Sequence, residues 1–214
     1  MSLCAIIPIK PLRQGKSRLS SVLSEEKREE LNEFLLISTL NCVRNVPEIE
    51  KIIVISYDPY ALSIARDLGA HTVLESRRTD INRALRKATA AAKAFNSTRL
   101  IIIPSDLPLI TEDDIFSILE TAGEPPEMVI VPDRKFRGTN ALYIDPIGAI
   151  KYNFGDWSYK EHIEQAERKR IKIKKLVCEN LSFDLDLPED WDLLAQKINL
   201  ISNMGNLTIT EVSS

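Results

Sequence analysis

The 214-residue sequence lacks features that would place it in several large functional classes. No apolar run approaches the roughly 18–20 residues that a membrane-spanning helix needs, and the N-terminus shows no basic leader or cleavage site. The net charge of −3 leaves no positive surplus, which argues against general nucleic-acid binding. Three cysteines, odd in number and widely spaced, do not suggest a disulfide framework. We therefore expect reduced thiols in a cytoplasmic protein.

A glycine is also missing where a phosphate-binding loop would need one. Gly15, Lys16 and Ser17 form the tripeptide that opens a helix in P-loop proteins, but the motif requires another glycine five positions earlier. Lys10 stands there, and no other glycine precedes Gly15. A non-glycine residue at that position cannot supply the same close backbone approach to a phosphate. The P-loop interpretation fails, and what remains is a cationic loop that needs another explanation, with Lys10, Arg13, Lys16 and Arg18.

The sequence does contain a regular alternation of short apolar runs and helical segments. The predicted strands are Cys4–Ile9, Lys51–Tyr57, His71–Glu75, Arg99–Ser105, Glu127–Asp133, Asn140–Asp145 and Ile171–Cys178. The predicted helices are Ser24–Asn45, Tyr60–Leu68, Thr79–Phe95, Thr111–Thr121, Ser158–Arg170 and Pro188–Ile201. This order predicts an α/β fold with a mostly parallel, doubly wound sheet and helices on both faces. No linker or repeat interrupts it, so we expect one domain over residues 1–201 and a loose tail at 202–214.

Carboxylates follow two of these segments at positions that suit a metal. Ligands of open α/β sheets bind at the carboxyl ends of the strands, and Asp106 comes just past the most apolar strand. Asp184 and Asp186 are two residues apart, so on an extended segment they point to one face. Such a pair suits magnesium, because this ion takes oxygen ligands from one or two carboxylates and from substrate phosphates. The alternative is that all three are loop or cap residues, which we prefer for Asp190 beside a helix start.

The cationic loop gains a purpose beside such a metal. Lysine and arginine side chains, together with Mg²⁺, neutralise the charge that builds up when a nucleotide triphosphate reacts. Lys16, next to Gly15 and Ser17, is the strongest candidate, whereas Arg18 taken singly suits solvated surface. Asn82 either hydrogen-bonds the base or ribose of a nucleotide or caps a helix.

Five segments of the sequence resemble a known family. "IPIKPLRQGKSRLS", "PSDLPLI", "PDRKFRGTNALYI", "FGDWSYKEHIEQA" and "FDLDLPEDW" look like the 2-phospho-L-lactate guanylyltransferase family, in order, from about residue 4 to residue 195. That family contributes to the deazaflavin coenzyme F420 of methanogenic archaea. Its members resemble the nucleotide-diphospho-sugar transferase fold (GT-A type), whose fuller members carry a glycine-rich first loop. The present sequence has "PLRQGKSRL" in that place.

The resemblance implies a reaction and its partners. GTP and 2-phospho-L-lactate, with Mg²⁺, would give lactyl-2-diphospho-5′-guanosine and pyrophosphate, and bacterial relatives use phosphoenolpyruvate. The sequence does not separate the two acids. The alternatives are a nucleotidyltransferase of the same fold with another phosphorylated acid or sugar, or a non-catalytic nucleotide-binding or dimerisation module. A homodimer is an assembly that the resemblance allows.

The resemblance also implies residue roles. Asp106, Asp184 and Asp186 match the family's metal ligands, and Asp106 would be catalytic together with Lys16. On charge and position, apart from the resemblance, the nucleotide is expected to meet Lys10, Lys16, Arg18, Asn82 and Asp106. Thr139, Gly155 and Ser158 would hold the phosphorylated acid, with the alternatives that Thr139 is a turn residue and Ser158 a plain helix cap. His162, four residues after Ser158, either faces the anion or lies on a helix surface.

Overall fold

Seven strands form a single sheet with helices on both faces in a computed structural model, which describes residues 2–75 and 80–205. The strands are β1 (Leu3–Pro8), β2 (Ile49–Ser56), β3 (His71–Leu74), β4 (Arg99–Ile102), β5 (Glu127–Pro132), β6 (Thr139–Asp145) and β7 (Lys172–Lys175). The helices are α1 (Glu25–Arg44), α2 (Pro59–Asp67), α3 (Ile81–Ala94), α4 (Glu112–Thr121), α5 (Ser158–Arg168), α6 (Glu179–Ser182) and α7 (Pro188–Gly205), and a 3₁₀ turn covers Ser17–Ser21.

The strand order is β3-β2-β1-β4-β6-β5-β7. All neighbours run parallel except β6, which is antiparallel to both β4 and β5. The chain winds outward from β1 to β3 on one side and then returns to place β4 on the other side of β1. The predicted mostly parallel, doubly wound sheet is confirmed. The crevice outside β1 and β4, where the winding reverses, is the position at which such sheets bind ligands.

Both faces of the sheet are buried because helices cover each of them, and successive side chains of a strand point to opposite faces. In β1, Leu3, Ala5 and Ile7 join the core formed with α1, α2 and α4, whereas Cys4 and Ile6 join the core formed with α3 and α5. Continuous apolar strands follow from this arrangement, since neither face of a central strand meets water.

Local sequence signals define several helix ends. Ser24 is the N-cap of α1, and its hydroxyl accepts the Lys27 amide at 3.3 Å. Thr111 and Asp114 form a capping box at the start of α4. Gly69 follows α2 with a φ of 84°, a left-handed conformation that glycine adopts without a side-chain clash.

Several predicted bounds were wrong by a few residues. The strand expected at Arg99–Ser105 ends at Ile102, and that expected at Ile171–Cys178 covers Lys172–Lys175. The second is short because β7 is an edge strand that pairs with β5 over four residues before the chain turns into the unpredicted helix α6. Helix α7 continues through 202–205, and the rest of the expected tail, 206–214, lies outside the described residues.

Membrane insertion of a helix has no structural support over residues 2–75 and 80–205. None of the helices in these ranges combines the length and the apolar content that crossing a bilayer requires.

Candidate active site

The predicted site residues come together at one edge of the sheet because of its topology. The loop after β1 carries Lys16, and the segment after the neighbouring strand β4 carries Asp106. Since β6 runs antiparallel to β4, its first residues, Thr139 and Asn140, lie at the same edge as the carboxyl end of β4. The structure thus assembles at the reversal of strand order residues that are far apart in sequence.

Lys16 is the buried cation of this edge. Its side chain is 5% exposed, and its Nζ atom lies 3.2 Å from Oδ1 of Asp186 and 3.6 Å from Oδ2 of Asp106. Its backbone has a φ of 55°, a left-handed conformation that is uncommon for a residue with a side chain. The ammonium of Lys16 thus lies between two carboxylates, from which it can move to contact a phosphate group.

The loop that carries Lys16 is anchored by side chains from α1 and from the turn before α2. The Leu12 amide donates to Oδ2 of Asp58 at 2.9 Å, and Nδ2 of Asn32 donates to the Leu12 carbonyl at 2.6 Å. A Cβ atom at Gly15 would lie 2.6 Å from Nδ2 of Asn32. Gly15 therefore allows close packing against Asn32, which explains the glycine of the Gly-Lys-Ser tripeptide without a P-loop.

The segment with Asp184 and Asp186 is held by backbone hydrogen bonds. The Leu185 amide donates to the Asp106 carbonyl at 3.1 Å, which joins this segment to the end of β4. The Asp190 carboxylate accepts the amides of Asp186 and Leu187 at 2.9 and 2.7 Å, so its predicted cap role is confirmed. Arg134 forms an ion pair with Asp190 from the loop after β5.

Asp184 carries the most perturbed carboxyl group of the site. Burial raises its pKa to about 6, and the charges of Asp106 and Asp186 act in the same direction. Nδ2 of Asn140 lies 3.5 Å from its Oδ1. The negative charge of Asp184 is destabilised by burial and by two neighbouring carboxylates, and a bound cation would offset that destabilisation.

The donor set fits Mg²⁺ when substrate oxygens complete the coordination. Within the described parts of the chain, no three His, Cys, Asp or Glu side chains are arranged to hold a metal ion by themselves. Magnesium is usually bound by one or two carboxylates together with phosphates and water. Asp184 with Asp106 or Asp186 supplies that number of carboxylates, and no protein nitrogen or sulfur ligand is required.

Thr139 and His162 form a buried pair on the other side of β6. The Oγ1 atom of Thr139 lies 3.1 Å from Nδ1 of His162, and the Asn153 amide donates to Nε2 of the same ring at 3.1 Å. Both side chains are buried, and burial lowers the pKa of His162 to about 4. The alternative that His162 lies on a helix surface is wrong, because α5 turns this residue toward the sheet.

Gly155 and Ser158 lie beside this pair at the start of α5. Gly155 has a φ of 134° with open space where a Cβ would be, and Ser158 is 1% exposed. Trp157 is the N-cap, so the alternative of Ser158 as the cap is wrong. The Ser158 amide donates to the Gly155 carbonyl at 3.1 Å and the Tyr159 amide to the Arg137 carbonyl at 3.0 Å. With those amides engaged, an anion here would meet hydroxyl groups rather than the first two helix amides.

The other residues predicted to meet the nucleotide differ in their surroundings. Lys10 is exposed, and Nη1 of Arg18 lies 4.0 Å from Oδ2 of Asp186 on a side chain that is 71% exposed. The amide of Asn82 accepts the Phe154 N–H at 2.7 Å and donates to the Phe154 carbonyl at 3.0 Å. Asp80 is the N-cap of α3, so the alternative that Asn82 caps the helix is wrong. Asn82 fixes the residue before Gly155.

Sequence reasoning missed Asn32, Asp58 and Arg134, which anchor the site. Asn32 is 8% exposed on the face of α1 that buries Leu35 and Leu36, so a polar residue within that apolar face was a signal for it. No local pattern indicates the pair of Arg134 and Asp190, which are separated by 56 residues.

A cavity of about 640 Å³ has residues of α3, α5 and the 151–153 segment in its walls. Its charged side chains are of both signs, from Arg86, Lys151 and Arg168 to Glu161 and Glu164. None of the predicted site residues lines it.

Comparison with known proteins gives the same picture. The family model described as "Guanylyl transferase CofC like" matches residues 3–198. The chain belongs to the CofC-like guanylyl transferase family. Among its relatives is a phosphoenolpyruvate guanylyltransferase of Rubrobacter xylanophilus, 39% identical over 89% of this chain and 92% of the relative. A 2-phospho-L-lactate guanylyltransferase of Methanobrevibacter smithii is 35% identical over 88% and 80%.

Solved structures agree on the fold of this CofC-like chain. A proposed nucleotide-diphospho-sugar transferase of Desulfovibrio desulfuricans G20 superposes with a TM-score of 0.72 over 94% of this chain and 91% of the other, at 16% identity. A cytidylyltransferase of Leptospira borgpetersenii gives 0.63 over 100% and 99%, at 13% identity. The expected fold, family and class of enzyme, a nucleotidyltransferase, are confirmed.

Proposed function

We propose that this CofC-like enzyme transfers the guanylyl group of GTP to the phosphate of 2-phospho-L-lactate, releasing pyrophosphate. One observation carries the proposal beyond family membership. The buried ammonium of Lys16 lies between Asp106 and Asp186, where the strand order reverses. The neighbouring carboxyl group of Asp184 has a raised pKa, because burial and these two carboxylates destabilise its negative charge. Such a site suits a bound triphosphate, whose negative charge needs cations on more than one side.

Bond making and breaking place modest demands on the protein. A phosphate oxygen of the acid attacks the α-phosphorus of GTP, a new P–O bond forms, and the bond to the pyrophosphate oxygen breaks. The attacking phosphate is ionised at neutral pH and needs no general base. Lys16 would leave its carboxylate partners to offset the charge on the α-phosphoryl and on the leaving pyrophosphate. Positioning and electrostatics therefore supply the catalysis.

Asp184, with Asp106 or Asp186, would hold Mg²⁺. The ion supplies charge neutralisation on the triphosphate when it is bound. The side chains themselves are held in place by the Leu185–Asp106 backbone hydrogen bond and by the cap that Asp190 provides. These contacts support the proposal because carboxylates can hold a metal together with substrate phosphates only if their spacing is fixed.

The acid would lie between Thr139, Gly155 and Ser158. Two buried hydroxyls and the open space beside Gly155 support this location. Phosphoenolpyruvate is the second candidate acid, favoured by the Rubrobacter relative that is 39% identical and carries that substrate in its name. The free thiols of Cys4, Cys42 and Cys178 support a cytoplasmic location for this reaction.

The test measures pyrophosphate release from GTP in the presence of Mg²⁺, with phospholactate, with phosphoenolpyruvate and with neither. Release that depends on GTP and on phospholactate supports the proposal, whereas faster release with phosphoenolpyruvate makes that second candidate the substrate. Release without an acid, or a preference for CTP over GTP, contradicts it. Asp113→Asn is a matched control for a substitution such as Asp184→Asn in the site, since Asp113 lies exposed in the first turn of α4.

A further inference from the structure

We propose that His162 is a positioning residue, which fixes the Thr139 hydroxyl as a hydrogen-bond donor to the phosphorylated acid. The inference rests on the proposed function in that it places the acid beside Thr139. It adds a residue and a role that the similarity to guanylyl transferases does not supply. It follows from a chain of three hydrogen-bonding groups: the Asn153 amide, the His162 imidazole and the Thr139 hydroxyl.

The Asn153 amide determines which nitrogen of His162 carries the proton. A backbone N–H can donate but never accept, and this one points at Nε2 from 3.1 Å. Nε2 must therefore offer a lone pair. In a neutral imidazole the proton then lies on Nδ1.

The proton on Nδ1 in turn determines the direction of the Thr139 hydroxyl. Nδ1 lies 3.1 Å from Oγ1 of Thr139 and, being protonated, donates to it. The hydroxyl oxygen accepts, so its own proton cannot point at the ring and is left for another acceptor. A phosphate or carboxylate oxygen of the acid is such an acceptor, and a hydrogen bond to a charged group is among the stronger ones.

The surroundings of His162 keep this arrangement in one state. The ring is fully buried, and burial lowers the pKa of His162 so that the neutral form dominates at neutral pH. The Phe154 ring packs edge-on against it, with centroids 5.0 Å apart and an interplanar angle of 67°. Phe154 is itself fixed by its two backbone hydrogen bonds to Asn82. The His162 imidazole can thus neither gain a second proton readily nor rotate freely.

Two variants separate positioning from a merely structural role, because each keeps one half of the imidazole. In His162→Asn the side-chain amide nitrogen takes the place of Nδ1 and still donates to Thr139, while the Asn153 amide loses its acceptor. In His162→Gln the amide oxygen takes the place of Nε2 and still accepts from Asn153, while Thr139 loses its donor. Each variant therefore loses a different hydrogen bond: His162→Asn loses the one from the Asn153 amide, and His162→Gln loses the one to the Thr139 hydroxyl.

The kinetic experiment compares KM for the acid and for GTP in both variants and in Thr139→Val. We expect His162→Gln to raise KM for the acid on the order of tenfold, the size of one lost hydrogen bond to a charged group, and to leave KM for GTP within about twofold. His162→Asn should lose thermal stability yet keep KM for the acid within about threefold. In the Thr139→Val background, His162→Gln should add less than about twofold. Equal rises in His162→Asn and His162→Gln, or an equal rise for both substrates, overturn the proposal.

A spectrum of the wild-type protein decides the matter even if the variants fail to fold. The chain has two histidines, so a long-range ¹H–¹⁵N spectrum of labelled protein contains two imidazoles, and His71→Gln assigns them. The proposal predicts a proton on Nδ1 of His162, and a proton on Nε2 overturns it. This measurement needs no turnover, so it remains decisive if neither acid proves to be a substrate, an outcome that would refute the proposed function alone.

Discussion

The ammonium of Lys16 lies 3.2 Å from Oδ1 of Asp186, 170 residues away in sequence, on a side chain that is 5% exposed. This pair joins the loop after β1 to the segment before α7, and the same ammonium is within 3.6 Å of Asp106. A cation therefore already balances two of the three carboxylates before any ligand arrives. In the proposed mechanism Lys16 would exchange these carboxylates for the phosphates of the nucleotide, and the freed carboxylates would be available to hold Mg²⁺.

Lys16→Ala should lower kcat by about two orders of magnitude and raise KM for GTP by less than about tenfold. The interaction of the ammonium with the α-phosphoryl and the leaving pyrophosphate strengthens in the transition state, so its loss affects turnover most. Lys16→Arg should restore part of the rate, because a planar guanidinium fills the space differently. Steady-state kinetics with varied GTP check both variants.

Ser17→Ala is the control for that experiment. Outside a P-loop the Ser17 hydroxyl has no metal to hold, so we expect nearly unchanged kinetics. A collapse of the apparent Mg²⁺ affinity in Ser17→Ala would revive the P-loop interpretation and contradict the role given to Lys16.

Asp184→Asn should lower turnover by at least about 100-fold at saturating Mg²⁺ while making the metal-free protein more stable. The loss follows from removing a metal ligand. The stability gain, about 1–2 kcal/mol at pH 8 after allowance for solvent screening, follows from removing a carboxylate whose pKa is raised to about 6. Chemical denaturation with a chelator present measures the gain.

The pH dependence of that gain has a fixed sign. A raised carboxyl pKa means that the folded state binds protons more readily than the unfolded chain, so the cost of the Asp184 charge is present above pH 6. The advantage of Asp184→Asn over wild type should shrink as the pH falls through 6 toward 4. An advantage that grows on acidification would show that Asp184 is not the strained carboxylate.

The fold was predictable because it depends on patterns that are local. Apolar β-branched runs alternate with amphipathic segments, and caps such as Ser24 and Thr111 are set by residues within one turn. Pairing with neighbours is not local. Strand β7 pairs with four of the six residues of β5, and α6 forms after the chain has left that edge. Strand ends were accordingly less predictable than strand existence.

The candidate site was predictable as a set of residue types but not as a network. Carboxylates and a lysine after strands indicated charge at one edge, and the similarity to the phospholactate family supplied their roles. The contacts that position them join distant segments, as Asn32 does with Leu12 and Arg134 with Asp190. His162 was misjudged as an equally good surface residue, since an isolated histidine in a polar helix gives no sign of which face is buried.

His162 should make a contribution to the stability of the wild-type protein that is lost as the pH falls from 6.5 to 4. Burial lowers its pKa to about 4, whereas in the unfolded chain it titrates near 6.5, so the unfolded state binds the extra proton over this range. The difference amounts to about 3 kcal/mol. His162→Gln removes this contribution, and the contribution of Asp184 cancels in the comparison. Parallel slopes of unfolding free energy against pH for the two proteins would refute the buried neutral imidazole.

Gly15→Ala should destabilise the protein by about 1–2 kcal/mol and lower turnover by about tenfold. The new methyl group would lie 2.6 Å from Nδ2 of Asn32, which must then give up its hydrogen bond to the Leu12 carbonyl. The displaced loop would carry Lys16 away from its productive position. Thermal denaturation and initial rates check the two effects.

The double variant Gly15→Ala/Asn32→Ala tests the cause of that effect. Truncating Asn32 removes the group that the methyl would strike, so the double variant should be no less stable than Asn32→Ala alone. Fully additive losses would mean that Gly15 serves a contact other than the one with Asn32.

The most direct test of the central claim, guanylyl transfer at this carboxylate and lysine site, is a ³¹P NMR spectrum of the complete reaction. With GTP, Mg²⁺ and phospholactate or phosphoenolpyruvate, we expect two mutually coupled resonances of a new diphosphate and an equal amount of free pyrophosphate. Asp113→Asn should give the same spectrum, and Asp184→Asn should leave GTP and the acid unchanged over the same time. Formation of GDP and inorganic phosphate, or of pyrophosphate while the acid remains unconsumed, would contradict it.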